Sequence, residues 1–214
     1  IQELDSPKIR QALPRYLTLD ESMQLLESIE GDNAERDFCI ITLFLNCGMR
    51  ISELVGLNLS DIRDDRIRVL GKGNKERVIY LNAACQNAIE DWLAVRSHSG
   101  AADPHALFIS RRHTRITKDG VHYMLKQRFT AAGLDSSKYS AHKLRHTAAT
   151  LMLQNGVDVR TLQEVLGHEH LNTTQIYTHV DSNALRDAAQ SNPLGQIKAK
   201  PRRGRPKKAS GNEE

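Results

Sequence analysis

Residues Arg66 to Leu81 read RIRVLGKGNKERVIYL, and this stretch breaks the helical grain of the chain around it. Apolar and polar residues alternate, pause at a Gly-Lys-Gly-Asn-Lys turn, and alternate again, the period-two signature of two strands joined by a glycine-bearing loop. The spacing predicts a β-hairpin whose loop holds Lys72, Gly73, Asn74 and Lys75.

Outward from the hairpin the pattern is helical. Thr18-Leu-Asp-Glu21 has capping-box spacing and opens an amphipathic run with Leu19, Met23, Leu26 and Ile29 expected on one face. Residues 34–47 are apolar nearly all round, which predicts a central buried helix ended by Gly48, with Arg50 at the start of a shorter one, ISELVGL. Beyond the hairpin, Asn82 caps a helix to about Ser97, and HALFISRRHTRIT (105–117) has the composition of one or two short strands. Helices are then predicted over 117–132, 141–154, 158–166 and 181–190, with a short one near 173–178. The fold class this implies is α+β, mainly helical with a small antiparallel sheet. One domain is expected over 18–190, followed by a disordered, polar and basic tail over 191–214.

Composition narrows the class further. Hydrophobic content of 39% and charged content of 26% suit a globular domain, and the longest apolar runs are about half of a bilayer-spanning length. Cys39, Cys47 and Cys85 lack zinc-ligand spacing and fit a reducing, cytoplasmic setting better than a disulfide framework. The positive charge is concentrated in KAKPRRGRPKK (198–208); without it the body is close to neutral, so any nucleic-acid contact needs a local basic face.

Four places carry residues that a plain core does not require. Arg50 follows a buried helix, although a surface pair with Glu53 would also account for it. Lys72 and Lys75 sit on the hairpin turn, where solvated lysines are common. His142 and Arg145 share a helical face at i,i+3. His168 precedes Tyr177 by nine residues across a glycine stop, although a lone tyrosine is often half-buried packing. Together these form a cationic set around one hydroxyl, suited to phosphoryl transfer. Arginine forks bind phosphate oxygens, cationic surroundings lower the cost of a phenolate, and a lysine or histidine can protonate a leaving oxygen. A metal site built on His168, Glu169, His170 and His179 fits less well, because no HExxH or carboxylate-rich spacing accompanies them.

At these positions the sequence resembles the tyrosine site-specific recombinases, which include phage integrases and the Xer recombinases. GMRISELVGL resembles their first-arginine motif and GKGNKER their hairpin-lysine motif in its Xer form. HKLRHTAATLML resembles the HxxR box, and LGHEHLNTTQIYTHV the closing box with the tyrosine. The likeness runs from about Ser6 to about Ala189. It implies that Tyr177 attacks the scissile phosphate to give a 3′-phosphotyrosyl link, that Arg50 and Arg145 clamp that phosphate, and that Lys72 is the general acid, with Lys75 the runner-up. His142 would assist proton transfer and His168, a tryptophan in some members, would hydrogen-bond a phosphate oxygen. Lys75, Arg77, Lys143, Arg203 and Arg205 are expected to contact DNA. No cofactor or metal is implied.

The resemblance also implies a double-stranded DNA partner, a homo- or hetero-tetramer on DNA joined through residues 181–190, and in some systems a regulatory protein partner. Residues 1–17, opening on Ile1, would be a linker from an N-terminal DNA-binding domain that this sequence does not contain. The tail departs from the Xer pattern: Pro201 to Lys208 resembles an AT-hook core, with a generic basic anchor as the alternative. A helix-turn-helix DNA-binding protein and a type IB topoisomerase are the rival readings. The first leaves Arg50, Lys72, His142, Arg145 and Tyr177 without a role, and the Xer-like boxes disfavour the second.

Overall fold

The computed structural model describes residues 16–71, 76–97, 100–167 and 182–200. Among them run α1 (Leu19–Glu27), α2 (Ala34–Cys47) and α3 (Ile51–Gly56). A 3₁₀ turn (Leu59–Asp61), β1 (Ile62–Arg63), β2 (Arg66–Leu70) and β3 (Glu76–Tyr80) come next. The rest is α4 (Ala83–Arg96), α5 (Lys118–Ala131), α6 (Ala141–Gln154), α7 (Val159–Leu166) and α8 (Ser182–Gln190). The protein is therefore mainly helical with one small sheet, as the sequence predicts. No helix of the described residues is long and apolar enough to cross a membrane.

Local chemistry explains the boundaries. The Glu21 amide donates to Thr18 Oγ1 at 3.1 Å and the Thr18 amide to Glu21 Oε2 at 2.8 Å, the reciprocal box that starts α1. Its buried face differs from the expected one: Ser22, Leu25 and Leu26 point inward, while Leu19 and Met23 are 37% and 39% exposed. Leu26 and Ile29 are buried as expected, so the stripe is the predicted one rotated by part of a turn, with Ser22 and Leu25 in place of Leu19 and Met23. Helix α2 is buried from Arg36 to Cys47 and forms the axis of the main core, packed by α4 and α6. Cys47 and Cys85 meet there as thiols, Sγ to Sγ 3.6 Å.

The two expected strands pair antiparallel, Arg66 opposite Tyr80 and Leu70 opposite Glu76, with Ile67, Val69 and Ile79 turned to the core. A third strand, β1, pairs antiparallel with β2; its two residues are too few to show a period. The 105–117 stretch makes isolated bridges, Asn58 to Ala106 and Ile109 to Arg115, instead of strands. Arg115 takes over the joining: its guanidinium donates to Leu57 O, Asn58 Oδ1 and Asp103 Oδ2 at 3.0, 2.7 and 3.0 Å.

A satellite cluster of Met152, Val157, Leu162, Leu166 and Ala188 holds α6, α7 and α8 together. Within this chain α8 packs on its own α7 and β3. Arg186 Nε donates to Asp65 Oδ2 at 2.9 Å, and its guanidinium stacks 4.6 Å over the Tyr80 ring. Residues 191–200, expected to belong to the tail, dock on the domain instead. Asn192 is buried and donates to Leu45 O at 3.0 Å, Leu194 is 1% exposed, and the Ala84 amide donates to Gly195 O at 2.8 Å. One buried leucine and one hydrogen-bonded asparagine suffice to dock a polar stretch whose composition reads as solvent-exposed. Residues 201–214 lie outside the described residues.

Candidate active site

Helix α2 ends where the site begins. Gly48 adopts a left-handed conformation (φ +57°), and a Cβ there would come within 2.6 Å of Leu166 Cδ2. Glycine is required both by the turn and by the close approach of α7. The chain leaves the turn extended, so that Arg50 becomes the N-cap of α3, and its amide donates to Glu53 Oε2 at 2.8 Å.

Glu53 anchors the surrounding arginines. Its side chain is only 2% exposed, and it accepts from Arg50 Nη1 at 3.0 Å and from Arg77 Nη1 and Nη2 at 2.5 and 3.2 Å. Burial, the largest influence, opposes its ionisation. The hydrogen bond and charge of Arg77, then the bonds from Arg50, outweigh that, and the carboxyl titrates below its ordinary 4.5. The pairing with Glu53 is present, and Arg50 Nη2 also donates to Gly167 O at 2.7 Å. With its back held, its side chain stays 37% exposed, able to meet an anion.

Arg145 sits on the second turn of α6, 8% exposed, because α6 packs along α2. Its Nη1 donates to Gly48 O and its Nη2 to Leu166 O at 2.6 Å. Burial, then the charge of Arg50, lower its pKa to about 10, so it stays protonated at neutral pH while its positive charge is poorly solvated. A buried cation next to another cation is the electrostatic setting that a phosphate relieves. His142 lies one turn earlier on the same helix, exposed, near the N-cap where Ser140 Oγ receives the Lys143 amide at 3.4 Å.

Arg77, expected to contact DNA, bonds extensively within the protein. Its Nη1 and Nη2 are on Glu53, its Nε donates to Val165 O at 3.4 Å, and its side chain is 16% exposed. All three nitrogens face inward. Lys143 is half-buried at the N-terminus of α6, while Lys72, Lys75, His168, Tyr177, Arg203 and Arg205 lie outside the described residues. The structure thus unites Arg50, Arg145 and Arg77 around Glu53 and the end of α7, directly before the 168–177 segment. Among the described residues no group of three His, Cys, Asp or Glu side chains gathers as metal ligands would.

Comparison with known proteins bears on the family and the fold. The family model described as "Phage integrase family" matches residues 15–184. The tyrosine recombinase XerC of Caldanaerobacter subterraneus subsp. tengcongensis is 58% identical over 196 residues, 91% of this chain and 56% of the relative. That of Corynebacterium glutamicum is 43% identical over 190 residues, 86% of this chain and 61% of the relative. The chain thus spans little more than half the length of these relatives. The crystal structure of XerA recombinase superposes with a TM-score of 0.68 at 33% identity, covering 85% of this chain and 66% of that one. The XerH site-specific recombinase in its pre-cleavage complex with difH substrate gives 0.65 at 33%, covering 83% and 54%. On the matched motifs, the shared fold and the length of the family match, the chain belongs to the phage integrase family.

Proposed function

We propose that this protein is a site-specific DNA recombinase that cuts and rejoins strands through a 3′-phosphotyrosyl intermediate on Tyr177. The observation that supports it best is the convergence of Arg50 and Arg145 on adjacent carbonyls, Gly167 O and Leu166 O, next to buried Glu53. Two guanidiniums so mounted can bind the two non-bridging oxygens of one phosphodiester and offset the charge that grows in the transition state. Tyr177 Oη attacks phosphorus, the bond to the 5′ oxygen breaks, and Lys72 (or Lys75) supplies the proton to that oxygen. His142 takes part in removing the tyrosine proton and His168 hydrogen-bonds a phosphate oxygen. The phosphotyrosyl ester keeps the bond energy, so a 5′-hydroxyl reverses the step without a nucleotide cofactor or metal.

The partner in this reading is double-stranded DNA, in line with a relative solved on its difH substrate, and the setting is the cytoplasmic nucleoid. Exposed Lys118, His122 and Lys126 form an i,i+4 stripe on α5, which packs against α3, and would add phosphate contacts that the sequence pattern alone does not single out. Four protomers would exchange residues 181–190 on DNA, releasing α8 from its packing on α7 and β3. Sedimentation in which no complex ever joins two duplexes through four protomers would contradict that assembly. Whether the biological outcome is chromosome-dimer resolution or mobile-element movement, and whether a regulatory protein gates cleavage, depend on which DNA is cut. Covalent trapping in the host, with sequencing of the DNA and mass spectrometry of the peptide, tests the proposal. A nucleotide 3′-linked to Tyr177 supports it, and a link to any other residue overturns it.

A further inference from the structure

The last turn of any helix leaves carbonyl oxygens without intrahelical partners and carries the negative end of the helix dipole. At the end of α7 three consecutive carbonyls are each met by a different arginine. Val165 O accepts from Arg77 Nε, Leu166 O from Arg145 Nη2 and Gly167 O from Arg50 Nη2, at 3.4, 2.6 and 2.7 Å. Two of these arginines are the phosphate clamp of the proposed reaction. Arg77 has no part in that set, yet it shares the carbonyl run with both and the Glu53 carboxylate with Arg50.

Its packing is as specific as its bonding. Gly167 (φ +65°) lies under the guanidinium so closely that a Cβ would come within 2.9 Å of Arg77 Cδ and Nε and 3.2 Å of Cζ. One planar group on β3 thus joins the α3 carboxylate, held by Nη1 and Nη2, to the α7 terminus, held by Nε. An ammonium would keep the charge but could not span these partners. All three Arg77 guanidinium nitrogens already donate to protein acceptors, Nη1 and Nη2 to Glu53 and Nε to Val165 O.

We propose that Arg77 is a positioning residue for strand cleavage. It sets Glu53 and the α7 terminus, and through them the Arg50–Arg145 spacing that receives the scissile phosphate. The inference rests on the recombinase reading and deepens it.

The test begins with the full wild-type protein selecting its own cleavage site from a library of nicked duplexes by covalent capture. Failure to capture any duplex overturns the recombinase reading itself, and this inference with it. On the selected duplex, single-turnover cleavage is then compared for wild type, Arg77→Lys, Arg77→Gln and Lys72→Ala. Three scissile groups are used: the phosphodiester, a methylphosphonate that lacks one charged oxygen, and a diester with sulfur at the 5′ bridging position, whose thiolate leaves without a proton. Arg77→Lys should bind the duplex like wild type yet cleave the phosphodiester about 10²-fold more slowly, the scale of an ångström of misplacement. The deficit should shrink on the methylphosphonate, which asks less of the clamp, and persist on the sulfur duplex, which should rescue Lys72→Ala. Cleavage within about threefold of wild type, weakened binding with a normal saturated rate, or selective rescue by sulfur would each overturn the proposal. Arg77→Gln guards against an unstable lysine variant. Loss of the folded state in both variants would make Arg77 a folding residue and overturn it as well.

Discussion

Replacing Glu53 by glutamine keeps the shape of the side chain and removes the one negative charge among Arg50, Arg77 and Arg145. The Glu53–Arg77 pair is nearly enclosed, with side chains 2% and 16% exposed. Breaking a pair of that kind costs about 3–5 kcal/mol, because the surviving cation stays desolvated. The Arg50 half is 37% exposed and screened, so it adds less than about 1 kcal/mol. Glutamine still offers one acceptor oxygen, which brings the expected loss to about 2–4 kcal/mol. For a domain of this size that lowers the melting temperature by roughly 5–15 °C. The pH dependence adds a sign. The carboxyl titrates lower when folded than its ordinary 4.5, so the unfolded chain binds the proton more readily. The contribution is fully present above about pH 4.5 and is lost as pH falls through the folded value. Urea unfolding of both proteins between pH 7 and pH 3 measures this. A gap of less than about 0.5 kcal/mol at pH 7, the size of an ordinary surface change, would refute the anchoring role. A gap that stays constant into acid would refute the electrostatic cause.

The same geometry sets further outcomes. Gly48→Ala meets both a left-handed backbone and Leu166 Cδ2 at 2.6 Å, and should cost roughly 2–4 kcal/mol in urea unfolding. Leu194→Ala should cost about 2–5 kcal/mol although it lies past the last helix, because the side chain is 1% exposed; an unchanged midpoint would mean that 191–200 does not dock. Arg203→Ala with Arg205→Ala should weaken binding to A·T-rich duplexes more than to G·C-rich ones in titrations at fixed salt, and equal losses would favour a generic basic anchor.

What the sequence discloses depends on how local the cause is. The hairpin at 66–81 and helix α2 are legible because their own side chains carry the period of the structure they form. The Arg50–Glu53 pair is legible too, since its partners stand three residues apart. Arg77 is not: its partners are Glu53, 24 residues back, and Val165, 88 residues on, and a lone arginine on a strand reads as a surface charge. The same holds for the docking of 191–200, where Asn192 finds its acceptor in Leu45 O, far upstream. Leu19 and Met23 mark the opposite failure, apolar residues at helical spacing that the packing leaves outside. The motif residues proposed for the chemistry stand out in the sequence by their local spacing. The three-arginine grip on the end of α7 required coordinates.

In the proposed reaction everything turns on Tyr177 becoming covalently joined to DNA at a phosphate held by Arg50 and Arg145. Incubation of the full protein with a nicked duplex of its selected site, in EDTA, followed by denaturing electrophoresis, reads that bond itself. A protein–DNA adduct is expected with wild type and none with Tyr177→Phe of equal stability. An adduct that survives in Tyr177→Phe, or one that forms only when a divalent metal is restored, would contradict the phosphotyrosyl reaction.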